Sequence, residues 1–513
     1  MIPAPVRAIT APVWRLPVAS LVAAALVGAP LIAADGDRRL IDAVRAQDAS
    51  QVRALLGDKI DVNVKADDGS TALLWAAHVN DVDVASALVR AGADANAANQ
   101  FGMTPLSRAC TNGSAEMVEL LLRAGAKADA PIGTGETPLM TCAATGASAA
   151  VKMLLARGAS VNAAEPTQHQ TALMWAAAER HPDVVGQLVE AGADLRARTR
   201  KGFTALHFAA REGDVEAVTR LLAAHVDVNL RSVPDSPAPG RGVSYQSTLS
   251  AGSTPLLVAT MRGQVPTALY LLDHGADPNI ADAGLTPLHW AAGTWEGGVS
   301  NPVYGFSDPM SGIPNRRERL QLIAALLAHG ANPNARMTKR PAIGGGYEDA
   351  AGATPFLLAS AAADVEIMKM LLAAGADPKL VTDTKATAVM AVAGLNRSVG
   401  ESSLTEAQVL AAAKLLFDLG LDARGETTDG ENGLYGAAYR GWNTLLLQLI
   451  EKGANVNAMS KAGITPWLAA AGYGDRLGGV LYNTEGAKIL LDHGADPKLG
   501  KPCQAQVKCV APK

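Results

Sequence analysis

A threonine-led phrase recurs along this chain at a nearly fixed period, and that period constrains the fold more than any other feature. Thr71-Ala72-Leu73, Thr104-Pro105-Leu106, Thr137-Pro138-Leu139, Thr171-Ala172-Leu173 and Thr204-Ala205-Leu206 follow one another at 33, 33, 34 and 33 residues. Thr254-Pro255-Leu256, Thr286-Pro287-Leu288, Thr354-Pro355-Phe356, Thr387-Ala388-Val389 and Thr465-Pro466-Trp467 continue the series. Two weaker anchors, Arg38 and Asn432, lie 33 residues before Thr71 and Thr465, which makes twelve units. Length alone would give three or four ordinary domains. The period points instead to a stack of units, each contacting only its neighbours.

Each phrase has a local physical meaning. Thr is a good helix N-cap, and Pro at the first helical position sacrifices no useful N–H. The Ala pairs that follow (Ala76-Ala77, Ala176-Ala177, Ala209-Ala210, Ala291-Ala292) make a helix thin enough to pack closely. A polar or Gly break, as at Asn112-Gly113 or Glu212-Gly213, starts a second helix with apolar spacing, as in Met117, Leu120 and Leu121. In most units a Gly-Ala phrase stands 21 residues after the anchor, as at Gly92, Gly125, Gly158, Gly192, Gly275, Gly375 and Gly453. Such a Gly supplies the left-handed residue that ends the second helix. The Asp/Asn/Gly stretch after it, such as Asp67-Asp68-Gly69, is turn chemistry.

This pattern resembles the ankyrin repeat, a β-turn followed by two antiparallel helices. His207 and His289 complete the T-x-L-H phrase, whereas Leu74, Ser107, Met140 and Met174 replace the His, and Lys59 and His225 replace the helix-ending Gly. The resemblance covers roughly residues 38–498. It implies an all-α repeat fold, an ankyrin-type solenoid of helix pairs with β-turn fingers and about twelve repeats. At an interhelix spacing near 10 Å the stack would be on the order of 110 Å long. The resemblance also implies recognition of another protein through turn tips and inner helices, without catalysis or cofactor.

The period breaks only in the C-terminal half. Seventeen extra residues lie in the turn between His225 and Thr254, and 23 between the two helices of unit eight, roughly Thr294 to Arg316. Twelve more lie in the turn around Ile343 to Tyr347, twelve near Asn396 to Ser403, and eight near Gly472 to Gly479. All eight Tyr also follow residue 240. Insertions in a solenoid map to loops on defined faces, often the binding face, although surface loops also lengthen at little cost. The candidate partner-binding residues are the aromatics on these insertions: Tyr245, Trp295, Tyr304, Phe306, Tyr347 and Tyr473.

Residues 1–34 differ from the rest. Arg7 and Arg15 precede the uncharged run Leu16–Ala34, which ends in small residues before Asp35. These are the three parts of a secretory signal, and Pro17 and Pro30 bracket a stretch short for a spanning helix. The expected organisation is a signal peptide at 1–34, regular repeats at 35–230 and a Pro/Gly-rich insertion at 231–253. Repeats with insertions follow at 254–498, then a tail at 499–513. Location is expected to be periplasmic or secreted, with no stable membrane insertion after signal removal. The alternative is an uncleaved anchor.

Composition narrows the partner class. Formal charge is −4, and 18% of residues are charged, so no basic stripe awaits a nucleic-acid backbone. The four Cys cannot form a disulfide scaffold. Cys503 and Cys509, in a polar tail, are expected to pair in an oxidising compartment. Cys110 and Cys142, in adjacent first helices, are expected to remain buried thiols, because helix axes usually stand too far apart for disulfide geometry.

No metalloprotease, nucleophile-elbow or phosphate-loop motif occurs. Gly133-Thr134-Gly135-Glu136 lacks the phosphate-loop Lys and falls in a repeat turn. His274, His329 and His493 share one repeat position, where a helix C-terminus favours them over a catalytic cluster. Trp75, Trp175 and Trp290 share another, four residues after the anchor, and are expected to pack between first helices. No catalytic residue, metal ligand or cofactor is assigned. The expected function is a protein-binding scaffold; the alternatives are an enzyme with its active site in the insertions, or a glycan or small-molecule binder.

Overall fold

A computed structural model describes residues 38–233, 251–294, 313, 315–339, 351–395, 404–472 and 482–500. Among these residues are 24 helices and no strand, and the helices pair consecutively along the chain. Unit two shows the plan: Ala72–Val79, a left-handed residue at Asn80, then Val82–Arg90. Thr71 accepts a hydrogen bond from the Leu74 amide, and Thr104, Thr254, Thr286, Thr354 and Thr465 cap their helices in the same way. Gly92, past the end of the second helix, has φ +91°. Lys59 and His225, which stand in place of that Gly, adopt the same left-handed conformation at φ 56° and 62°.

Consecutive first helices form an inner row and consecutive second helices an outer row. One apolar core runs from Leu40 to Ala495. The leucine two residues after each anchor (Leu73, Leu106, Leu139, Leu173, Leu206) is fully buried, as are the Ala pairs behind it. Truncating one such leucine to alanine would cost about 2–5 kcal/mol.

The turns join into a second continuous row. Gln100 N–H donates to Asp68 O at 2.9 Å, Gly133 N–H to Phe101 O at 2.8 Å, and Arg200 N–H to Gln168 O at 2.9 Å. Gly133-Thr134-Gly135-Glu136 is one of these fingers. A third tie comes from asparagines four residues beyond the helix-ending position. Asn96 donates to Gly125 O at 3.0 Å and accepts from Lys127 N–H at 2.8 Å, so one side-chain amide links units two and three. Asn63, Asn162, Asn229, Asn279, Asn334 and Asn457 repeat the arrangement.

The stack carries on past each place where the period is exceeded. Ala205–Glu212 packs on Pro255–Met261, and Pro287–Ala292 on Pro355–Ala361. Part of the excess is helix: Arg316–Ala328 and Glu406–Asp418 have 13 residues, against nine in most second helices. No described helix is long and apolar enough to cross a membrane.

Candidate interaction surface

Two positions on each first helix face away from the second helix, four and seven residues after the anchor. In units one to six they are open at one or both: Asp42 and Arg45, Trp75 and His78, Arg108 and Thr111, Thr141 and Ala144, Trp175 and Ala178, then Arg211 beside buried Phe208. In units seven to ten the equivalent side chains are buried. Val258 and Met261 are 0% and 2% exposed, Trp290 1%, Leu358 and Ala361 4% and 6%. The inner face thus presents side chains over its N-terminal half.

Aromatic rings and arginines recur there. The Arg45 guanidinium lies 4.7 Å from the centroid of the Trp75 ring, and His78 meets the same ring edge-on at 5.3 Å. Burial and the neighbouring Arg108 charge hold the His78 imidazole below its ordinary pKa. Arg211 lies 4.9 Å over Phe208 and pairs with Glu212 at 2.6 Å. The indole nitrogens of Trp75 and Trp175 are themselves buried, so these half-exposed rings turn their carbon edges to the groove. Of the three tryptophans, Trp290 is the one wholly given to packing. At the finger tips Phe101 is 63% exposed.

Tyr245, Trp295, Tyr304, Phe306, Tyr347 and Tyr473, the insertion aromatics, all lie outside the described residues, as do Cys503 and Cys509. The expectation for Cys110 and Cys142 is corrected: they form a disulfide, with Cα atoms 4.5 Å apart and both side chains fully buried. Axis spacing was the wrong measure. Two helices about 10 Å apart, each with Cα atoms on a radius of about 2.3 Å, bring facing Cα atoms to about 5 Å. Cys110 and Cys142 occupy such facing positions, beside the small residues Ala109 and Ala143.

His207 and His289 are structural. His207 Nδ1 accepts from the Thr204 amide at 3.2 Å, and its Nε2–H donates to Ser253 O at 2.9 Å. His289 repeats this with Thr286 and Ala335. Desolvation brings both down to a pKa of about 4. His274, His329 and His493 stand at the C-terminal ends of second helices, where the ring nitrogens of His274 and His493 meet carbonyls at 2.7 and 2.8 Å. No group of three or more metal-ligating side chains occurs among the described residues.

A family model described as ankyrin repeats (3 copies) matches residues 40–132, 88–165, 139–232 and 240–297. A model of the single ankyrin repeat matches residues 351–383, and together these matches take in more than half of the chain. Among solved structures, the human ASB11 ankyrin repeat domain is similar at 25% identity, over 47% of this chain and 98% of that one, with a TM-score of 0.39.

Proposed function

The chain belongs to the ankyrin-repeat family, and from that premise we propose that it is an exported scaffold that binds another protein along the open inner face of units one to six. Ankyrin repeats generally mediate protein–protein interaction and are typically non-enzymatic. The observation that carries this reading is the burial contrast. Trp75, Arg108, Thr141 and Trp175 are half-open, whereas their counterparts Val258, Trp290 and Leu358 are buried. Aromatic and arginine side chains dominate interface energetics, and they are the residues exposed here. The insertion aromatics Tyr245, Trp295, Tyr304, Phe306, Tyr347 and Tyr473 supply a second contact region downstream.

Export rests on residues 1–34, read as a cleaved signal, and is supported by the Cys110–Cys142 bond, since disulfides persist in oxidising compartments. Cys503–Cys509 would pair in the same environment.

Photo-crosslinking tests the surface. A photoreactive residue at Thr111, on the inner face, or in the loop between residues 294 and 316 should capture one protein from an envelope extract. The same residue at Lys152, on the outer helix Ser148–Ala156, should not. Replacing that loop by a short turn should lower partner affinity more than about tenfold while leaving the stack intact. Equal capture at Lys152, or none at Thr111 and the loop, would overturn the proposal.

A further inference from the structure

Arg108 is half-buried on the first helix of unit three, Pro105–Thr111, yet its guanidinium meets no carboxylate or carbonyl among the described residues. The other half-buried arginines among the described residues have partners. Arg319, likewise desolvated, donates to the carbonyls of Ala291, Ala292 and Gly293, and Arg316 grips Asp364 and Glu366. The two open positions of units two to four carry Trp75, His78, Arg108, Thr111, Thr141 and Ala144, with no Asp or Glu. Partial burial weakens hydration of a charge, which makes an opposite charge from outside more favourable than at a fully wet site. The groove also keeps a second cation near by, because Arg45 sits over Trp75.

Resting on the scaffold reading above, we propose that Arg108 docks a carboxylate from an acidic segment of the partner polypeptide, and that the Trp75 ring receives an apolar side chain of the same segment. A planar guanidinium can take the carboxylate through two parallel N–H···O bonds, and a lysine cannot. Trp75 and Arg108 occupy the same position on consecutive units, about 10 Å apart at ordinary helix spacing. An extended segment rises about 3.3 Å per residue. Running along the stack, it would therefore place its Asp or Glu and its apolar residue about three positions apart.

The test uses the full chain with the photoreactive residue at Thr111. Sequencing of the captured peptide should show an Asp or Glu and a large apolar residue about three positions apart. Arg108→Gln should lower capture at least tenfold, Arg108→Lys less, and Trp75→Ala several-fold, with unchanged helical circular dichroism. Added salt should weaken capture by the parent chain and barely affect the Gln variant. A captured peptide without a carboxylate, or undiminished capture by Arg108→Gln, would overturn this inference while leaving a protein captured on the inner face to support the scaffold; capture of nucleic acid or lipid in place of a peptide would overturn it and leave the scaffold to rest on the insertion loop alone. No capture at Thr111 overturns it outright; the scaffold reading fails as well only if the insertion loop also captures nothing.

Discussion

Cys110 and Cys142 face each other across the first helices of units three and four and are joined by a disulfide buried on all sides. The bond closes a chain segment of sequence separation 32. In the chain-entropy account a loop of that length stabilises by about 3–4 kcal/mol. Alkylation of unreduced, unfolded protein should therefore leave both residues unlabelled. A Cys110→Ala/Cys142→Ala variant should unfold at a lower urea concentration, with the loss centred on units three and four by hydrogen exchange. Labelling of both cysteines without reductant would show that the bond does not form.

Acidification should weaken the stack through His207 and His289. Each accepts an anchor amide at Nδ1, so protonation there breaks a buried bond. Their folded pKa is about 4, below the ordinary value of 6.5. The neutral form is favoured in the fold, so their contribution is complete above pH 6.5 and is lost as pH falls towards 4. The difference corresponds to at most about 3 kcal/mol per histidine. Urea midpoints should drop steadily between pH 7 and 4.5, and a His207→Gln/His289→Gln variant should flatten that slope. An equally steep slope in the variant would assign the effect to other groups.

Lys59 and His225 hold left-handed backbone where the other units use Gly. A side chain there costs about 1–2 kcal/mol, partly offset by the greater freedom Gly brings to the unfolded chain. Lys59→Gly and His225→Gly should each raise stability by about 0.5–1 kcal/mol, read as a higher urea midpoint. A lower midpoint at either site would mean that its side chain makes a contact that outweighs the strain.

The same two residues show how far the sequence could be read. The threonine anchors and the Gly positions are local signals, and the helices begin and end where they direct, even where Lys59 stands in for Gly. The Cys110–Cys142 bond was not legible, because it depends on which sides of two helices face each other. Nor was the burial contrast along the inner face: Trp75 and Trp290 occupy one repeat position, yet one is half-open and the other closed. Periodicity assigns equivalent positions equivalent roles, and what differs is the packing around each unit. The role of Arg108 was not legible for a related reason. A lone charge in an aromatic register reads as surface until the absence of a carboxylate partner among the described residues is seen.

Asn334 and Lys379 occupy one register position in consecutive units, and they should differ in what their loss costs. Asn334 donates to Gly375 O at 2.9 Å and accepts from Asp377 N–H at 2.7 Å, tying unit eight to unit nine. Lys379, one unit on, makes no such tie among the described side chains; only its amide is held, by Asp377. Two neutral hydrogen bonds contribute about 0.5–1.5 kcal/mol each, and exposure of this turn favours the lower figure. Asn334→Ala should therefore lower stability by about 1–2 kcal/mol, and Lys379→Ala by less than about 0.5 kcal/mol. Because each unit contacts only its neighbours, the effect should be local. Hydrogen exchange at the Asp377 amide should accelerate in Asn334→Ala, while amides of units two to five keep their protection. If Lys379→Ala costs as much as Asn334→Ala, the side-chain amide does not carry the tie, and the junction of units eight and nine is held by backbone packing alone.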